Sequence, residues 1–572
     1  MKKITLFAFI IILISNQSFS QVQIPVCDTL SINNIKTLAW TTGTQFTNFS
    51  GPYYQYPNGS GKNTIYCSSL WYGGKDNLGN LHFAGERYNQ VGFDFWTGPL
   101  KTNGTASTDP ATSSLWKKLW KINKLDLTNY LNSSAYPSNP PTYVLNWPAH
   151  GDTSLQQSYQ LAPFIDINNN GVYEPLLGDY PKIYGDQCLF FIINDQKTHH
   201  ESQGIPIGLE IHVFAYAFNT PSDSALYNSI FYKYKIINRS TTTYNDFYVG
   251  LFTDLDIGYA YNDYVACDVE RASYYAYNAT PSDAVYGNFP PAQGVTILGG
   301  PKKDADGIDN PMGGCNYSVN GTNFGDNIAD NERLGMCRFV YYNNDNNPIN
   351  GEPTVDSNSY NYMSGFWKNG QPLKWGADGV NTTSSSTARF MFPGLSDTLN
   401  WGTGCGLRPI PNDWSEVDLQ NTPGDRRGLA SMGPFTFNAG ATQYVDIVYT
   451  TATSYSFKSS STSVDVLKQR IDHIRDLYLT NPSVFQDNVS VAEKKTLQFK
   501  IYPNPSSDFI NIEGNGWLKS IFTIFNIVGQ SVKTGNLESN TSKISIANLN
   551  AGIYFIQFKT EDKSKTIKFI KR

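Results

Sequence analysis

The chain has 572 residues, with a formal net charge of −5 spread along its length, enough for about three or four domains. The even spread leaves no basic stripe and excludes nucleic acid and anionic membrane surfaces as partners. Only 16% of residues are charged, while Tyr (37), Phe (33) and Gly (47) are frequent, a balance that favours strands and turns over helices. The predicted fold class is mainly β and multidomain: a β-sandwich body with long loop insertions, then a C-terminal immunoglobulin-like β-sandwich.

Met1-Lys2-Lys3, the apolar run Ile4 to Ile14 and the small-x-small site Ser18-Phe19-Ser20 before Gln21 read as a secretory signal peptide over 1–20. That run is too short to span a bilayer, and no later stretch predicts a membrane span. Export permits disulfides. The seven cysteines are sparse and never CxxC. Cys315 and Cys337 are placed to pair across one Gly/Asn-rich loop, with connectivity left open.

Residues 21–205 read as a β-rich region with one helix, Ser114 to Leu131, on which Leu115, Leu119 and Ile122 follow helical spacing. Trp116 and Trp120 would lie four apart on it, either as core or as a sugar-stacking pair. Residues 206–455 hold the clearest strands, Ile207 to Phe218, Leu226 to Asn238 and Asp246 to Thr253. In the second, Ile230, Tyr232, Tyr234 and Ile236 alternate with Lys233 and Lys235, the period of a half-buried strand. Residues 299–425 read as a long Gly/Asn/Asp-rich insertion. Gly433 to Thr450 then closes a two-sheet sandwich with a late hairpin. Helix and linker occupy 456–493: Val464, Leu467, Ile471, Ile474 and Tyr478 step by three and four from Thr462, with Thr462 and Asp465 in the places of a capping box.

Three acidic sets are candidate calcium sites. Asp166-Ile167-Asn168-Asn169-Asn170-Gly171-Val172-Tyr173-Glu174 puts side-chain oxygens at alternate positions and Gly at the sixth, the opening half of an EF-hand-type loop. Asp166, Asn168 and Asn170 would offer side chains, Val172 its carbonyl and Glu174 the ninth place. Leu177 stands where a bidentate Glu belongs, and Asp179 is the candidate replacement. The competing reading is an Asn-rich turn held by its own hydrogen bonds. Asp254 and Asp256, with Asp263 and Asp268, form the second set, and Asp304, Asp306 and Asp309 the third. Carboxylates this close repel unless a cation or hydrogen bonds compensate. Asp425-Arg426-Arg427 reads as a structural salt bridge.

Hydrolase signatures mostly fail, although the paired carboxylates of glycoside hydrolysis, whose spacing is spatial rather than sequential, stay open. There is no HExxH and no G-x-S-x-G. His199, His200, Glu201 and His212 are a weak zinc candidate against the commoner polar turn. The reading leans away from catalysis.

The end of the chain, 494–572, shows short apolar runs separated by turns: Ile510 to Ile512, Ser520 to Asn526, Ser531 to Lys533, Lys543 to Ile546, Gly552 to Lys559 and Thr566 to Ile570. Tyr502-Pro503-Asn504-Pro505, Phe525-Asn526 before Gly529-Gln530, Leu549-Asn550-Ala551-Gly552-Ile553-Tyr554 and the basic end Lys568 to Arg572 resemble the type A C-terminal sorting domain of the Bacteroidetes type IX (Por) secretion system. The resemblance implies transport across the outer membrane by that machinery. It also implies removal of the domain by a sortase-like peptidase, with surface attachment or release. Farther upstream, Asn89 to Leu100, Asn146 to Gly151, Asp166 to Gln187 and Asp254 to Asp268 resemble an uncharacterised class of large Bacteroidetes surface proteins, which lends no activity.

Together these features predict a secreted or outer-membrane-surface protein with a non-catalytic structural or adhesive role, stiffened by calcium. Surface glycan is a possible partner. The alternatives are an extracellular hydrolase or a carbohydrate-binding protein acting on polysaccharide.

Overall fold

The computed structural model describes residues 24–313, 318–411, 413–456, 460–485, 500–513, 520–537, 541–559 and 564–572. The predicted signal peptide and the linker after 485 lie outside them. Two compact units form, Met1–Phe485 and Gln486–Arg572. No helix among the described residues is long and apolar enough to cross a membrane.

The first unit is built on two antiparallel sheets. The larger runs in the order Asp263–Asp268, Ser273–Asn278, Ala292–Gly299, Thr442–Ala452, Ser229–Asn238, Leu209–Ala217, Gln187–Asn194, with the short strands Trp96–Thr97 and Trp120–Asn123 on the last. The smaller runs Arg338–Asn343, Arg426–Phe437, Tyr244–Leu255, Cys67–Lys75, Leu81–Ala84. Apolar side chains of both sheets fill one core between them, among them Leu70, Leu251, Tyr232 and Ile447. Hydroxyls cross it: Ser68 Oγ meets the Tyr449 hydroxyl at 2.8 Å, and the Tyr274 hydroxyl donates to Leu251 O at 2.9 Å.

Strand period explains these faces, because alternate side chains point opposite ways. Ile230, Tyr232, Tyr234 and Ile236 face the inter-sheet core, as expected. The opposite face is not solvated, however. Phe231 lies in a second core with Phe190, Phe214, Ile474 and Tyr478. Lys233 is only 3% exposed and pairs with Asp446 at 3.1 Å. The helix Ser460–Thr480 covers this side. On it Val464, Leu467, Ile471, Ile474 and Tyr478 are all buried, as the spacing predicts. It begins two residues early, so Thr462 and Asp465 lie inside the helix rather than capping it.

Four expectations need correction. The predicted Ser114 to Leu131 helix is instead Pro110–Leu115, strand Trp120–Asn123 and helix Lys124–Leu131. Trp120–Asn123 pairs with the edge strand Gln187–Asn194, and tertiary pairing overrides helical spacing. Trp116 and Trp120 sit 5.2 Å apart by ring centroids and pack on the second core. The late hairpin is not one, since the consecutive strands Arg426–Phe437 and Thr442–Ala452 belong to opposite sheets. The 299–425 insertion is no decoration: Trp367, Trp375 and Trp414 are buried in the main core. Nor does the chain divide near residue 205, because Gln187–Asn194 pairs with Leu209–Ala217 and Cys67–Lys75 with Tyr244–Leu255.

Cysteine pairing also differs from expectation. Cys337 is a buried free thiol, as are Cys67, Cys188 and Cys267, while Cys405 is in a disulfide. Cys315 lies outside the described residues.

In the second unit, Lys500–Tyr502, Phe509–Glu513 and Thr541–Ser545 form one antiparallel sheet. Ser531–Asn536, Ile521–Asn526, Gly552–Lys559 and Ser564–Lys571 form the other. Ile510, Ile512, Ile524, Ile544, Ile556, Phe558 and Phe569 fill the core between them. All six strands predicted here are present, in a β-sandwich.

Candidate functional site

The centre of the five-stranded sheet ends at an acidic cluster. Tyr244–Leu255 runs between Cys67–Lys75 and Arg426–Phe437, and its register sets Asp254 opposite both Cys67 and Arg427. Past Leu255 the chain bends back under backbone control. Asp256 N donates to Thr64 O (3.2 Å) and Gly258 N to Asn63 O (3.0 Å). Gly258 has φ +66°, and a Cβ there would lie 2.3 Å from Asp283 Oδ1, so only glycine fits this bend. Ile257 N donates to Asp263 Oδ2 at 2.9 Å, and Gly424 N to Asp263 O at 3.0 Å. Those two bonds draw the 424–425 segment against the bend.

As a result Asp254, Asp256 and Asp425 each present a carboxylate oxygen, and these oxygens lie within 4.8 Å of one another. Oxygens around one calcium ion, at about 2.3–2.6 Å from it, span at most about 5 Å. Among the described residues no other set of three His, Cys, Asp or Glu side chains converges this closely. Asp254 is buried, while Asp256 and Asp425 are half-buried.

Arg427 is the cation built into this cluster. It reaches Asp254 Oδ2 at 3.1 Å, Glu352 Oε1 at 3.1 Å and Asp425 Oδ1. Its Nε donates to the Tyr88 hydroxyl at 2.7 Å, which donates to Asp254 Oδ2 at 3.0 Å. Glu352 is also engaged by Arg87 at 2.7 Å. One guanidinium does not balance three carboxylates. Burial first, and Asp256 second, push the Asp254 carboxyl well above the carboxylate range against the pull of Arg427. Burial and then Asp425 push Asp256 up to about 7. Asp254 Oδ1 and Asp256 Oδ1 are buried with no hydrogen-bond partner. So is Asp263 Oδ1, on a carboxyl that is 0% exposed and raised by its burial. Buried acceptors without partners are costly, and a divalent cation satisfies such a set at once.

The other predicted ligands lie elsewhere. Asp268, at the far end of its strand, pairs with Arg271 at 2.9 Å and faces Lys468. In the 166–179 loop, Asp166 Oδ2 accepts from Gly171 N (2.7 Å), while Asp179 accepts from Ile167 N (2.9 Å) and Glu174 N (2.8 Å). The Asn168 and Asn170 amides donate to Glu174 Oε2 at 3.2 and 2.5 Å. Val172 N donates to Asn170 Oδ1 at 2.7 Å. These hydrogen bonds run within the loop. Asp304, Asp306 and Asp309 diverge: Asp304 accepts from Thr436 N at 2.8 Å, Asp306 pairs with Lys303 at 2.6 Å, and Asp309 accepts from Gly325 N at 2.8 Å. The histidines do not meet. Both ring nitrogens of buried His199 face carbonyls, Phe83 O and Asp195 O, and His212 turns to Glu210 at 2.8 Å.

Asp425 carries a role the sequence reading missed. Its contact with Arg427 is present as expected, yet it also completes the cluster. The only signal was its acidity beside two arginines, and it stands far along the chain from Asp254.

In the second unit the motif residues hold the sandwich together. Asn504 accepts from Ile570 N (2.9 Å) and donates to Lys568 O (3.3 Å), tying the Tyr502-Pro503-Asn504-Pro505 segment to the final strand. Asn526 Oδ1 accepts from Gln530 N at 2.9 Å across a turn in which Gly529 takes φ +84°. The Tyr554 hydroxyl donates to Asn550 O at 2.9 Å, between Leu549 and Gly552.

Comparison with curated proteins finds no match. Among solved structures, the chain is similar to a polysaccharide lyase, with 8% identity over 86% of this chain and 44% of that one, TM-score 0.18. It is also similar to PorZ, a surface component of the type IX secretion system of Porphyromonas gingivalis. That match has 10% identity over 95% of this chain and 51% of that one, TM-score 0.13. The chain thus spans about half the length of each, and scores this low carry no argument. Residues 500–572 match the family model of the secretion system C-terminal sorting domain. The carboxyl-terminal unit is a type IX sorting domain, and the protein that bears it is exported to the cell surface or beyond.

Proposed function

We propose that the exported body is a non-catalytic surface protein, structural or adhesive in role, braced by one calcium ion at Asp254, Asp256 and Asp425. The convergence of these three carboxylates, with buried oxygens left unpartnered, carries the reading. The ion would join the end of Tyr244–Leu255 and the bend directly after it to the start of Arg426–Phe437, a stretch distant in sequence. Its role there is to tie loops. Asp254 is sealed beneath Arg427 and Tyr88, a poor place for a group that must meet a substrate.

Melting the purified full chain in EDTA, and again with excess calcium, tests the brace. Calcium is expected to raise Tm by several degrees, as binding to the native state alone requires. Identical melting curves would remove the ion from the account.

A further inference from the structure

Away from the carboxylates, the first unit contains a cavity of about 360 Å³ whose walls include Lys303, Phe324, Leu334, Arg338, Arg389 and Trp401. Small-molecule sites occupy about 300–1,000 Å³. Backbone bonds fix its cationic side. Arg338 opens a strand and pairs in register with Ser431. Arg389 is held by Phe339 N donating to Arg389 O and by Arg389 N donating to Gly402 O, each 2.9 Å.

The two guanidiniums are not neutralised. Arg338 Nη1 donates to the Cys337 carbonyl at 2.8 Å, and Arg389 lies over the Trp401 ring at 5.5 Å. Neither forms an ion pair with a carboxylate among the described residues. Asp397, whose field reaches Arg389, is occupied by Trp401 N (2.8 Å) and Gly402 N (2.7 Å). Lys303 is already paired with Asp306. Burial first, and Arg338 second, lower the Arg389 pKa, as expected of like charges left facing each other.

Paired guanidinium forks suit an oxyanion, which they grip through parallel charge-assisted hydrogen bonds. An inorganic anion would leave most of the volume, and the wall of Phe324, Leu334 and Trp401, facing water. A ring-shaped body bearing one carboxylate fills both. We infer that this cavity binds an acidic sugar, with its carboxylate on Arg338 and Arg389 and its ring against the apolar wall. The site goes beyond the calcium reading and does not depend on it.

Calorimetric titration of the full chain with galacturonate, galactose and sodium sulfate tests this. Galacturonate is expected to bind saturably, in EDTA as in calcium, and galactose at least about tenfold more weakly, the loss of one charge-assisted contact. Arg389→Gln should weaken galacturonate by about tenfold or more, and Arg389→Lys should restore only part, because an ammonium lacks the fork. If Arg389→Gln does not fold, Arg338→Gln must show the same loss with an unchanged Tm. Equal binding of galactose, sulfate bound as tightly as galacturonate, or unchanged affinity in a folded arginine variant would each overturn the inference.

Discussion

Asp256 is the residue on which the carboxylate cluster is easiest to probe. Its Oδ1 has no partner, and it is half-buried rather than sealed. Asp256→Asn removes a repelled charge without opening a cavity. Cation-free stability should therefore hold or rise, while the Tm response to calcium is lost. The pH dependence follows from the same group. Asp256 and the buried Glu86 are both raised to about 7 in the folded chain. Each binds more protons folded than unfolded between the ordinary carboxylate range, near 4, and about 7, so each destabilises as pH rises through that window. In EDTA, Tm should fall between pH 5 and pH 8. In calcium the Asp256 share of that fall should vanish, because the ion holds the carboxylate charged. The Asp254-Leu255-Asp256 pair was legible in the sequence as a close acidic set. Its third member was not, since only the sheet register sets Arg427 beside Asp254 and so brings Asp425 near.

At the scale of elements, periodicity was a good guide wherever one face decides the matter. The Ser460–Thr480 helix buries the five residues its spacing predicts, and Leu467 and Ile471 pack on Gly294. Ile471→Ala should cost about 2–5 kcal/mol of the first unit's stability, measured by urea unfolding. Periodicity misled where pairing partners decide. Trp120–Asn123 has helical neighbours in sequence, yet an exposed sheet edge recruits it as strand. Likewise, Arg426–Phe437 and Thr442–Ala452 read as a hairpin because the four residues between them resemble a turn, while the two strands lie in different sheets. In the second unit, Asn504→Ala removes both bonds to the final strand and should cost about 1–3 kcal/mol of that unit's stability.

For the whole molecule, the division into Met1–Phe485 and Gln486–Arg572 means that the sorting sandwich has its own core and strands. Deleting 500–572 should abolish appearance of the protein at the cell surface or in the medium, read by immunoblot of fractions, while the first unit's core is left whole. Surface delivery without the sorting domain would contradict the export account. The two-sheet architecture was readable from strand period and turn residues, and the sorting motif from its resemblance to a known family. The depth to which 299–425 is buried was not, because its Gly and Asn content describes the backbone path and not what its tryptophans cover.

The central claim is that Asp254 and Asp256, with Asp425 brought in from far along the chain, hold one calcium ion. Titration of calcium into the chelator-stripped chain at pH 7.5, beside Asp256→Asn, measures it most directly. A saturable site in the parent that disappears with the substitution is the predicted result. Absence of binding, or binding that survives Asp256→Asn unchanged, would contradict it.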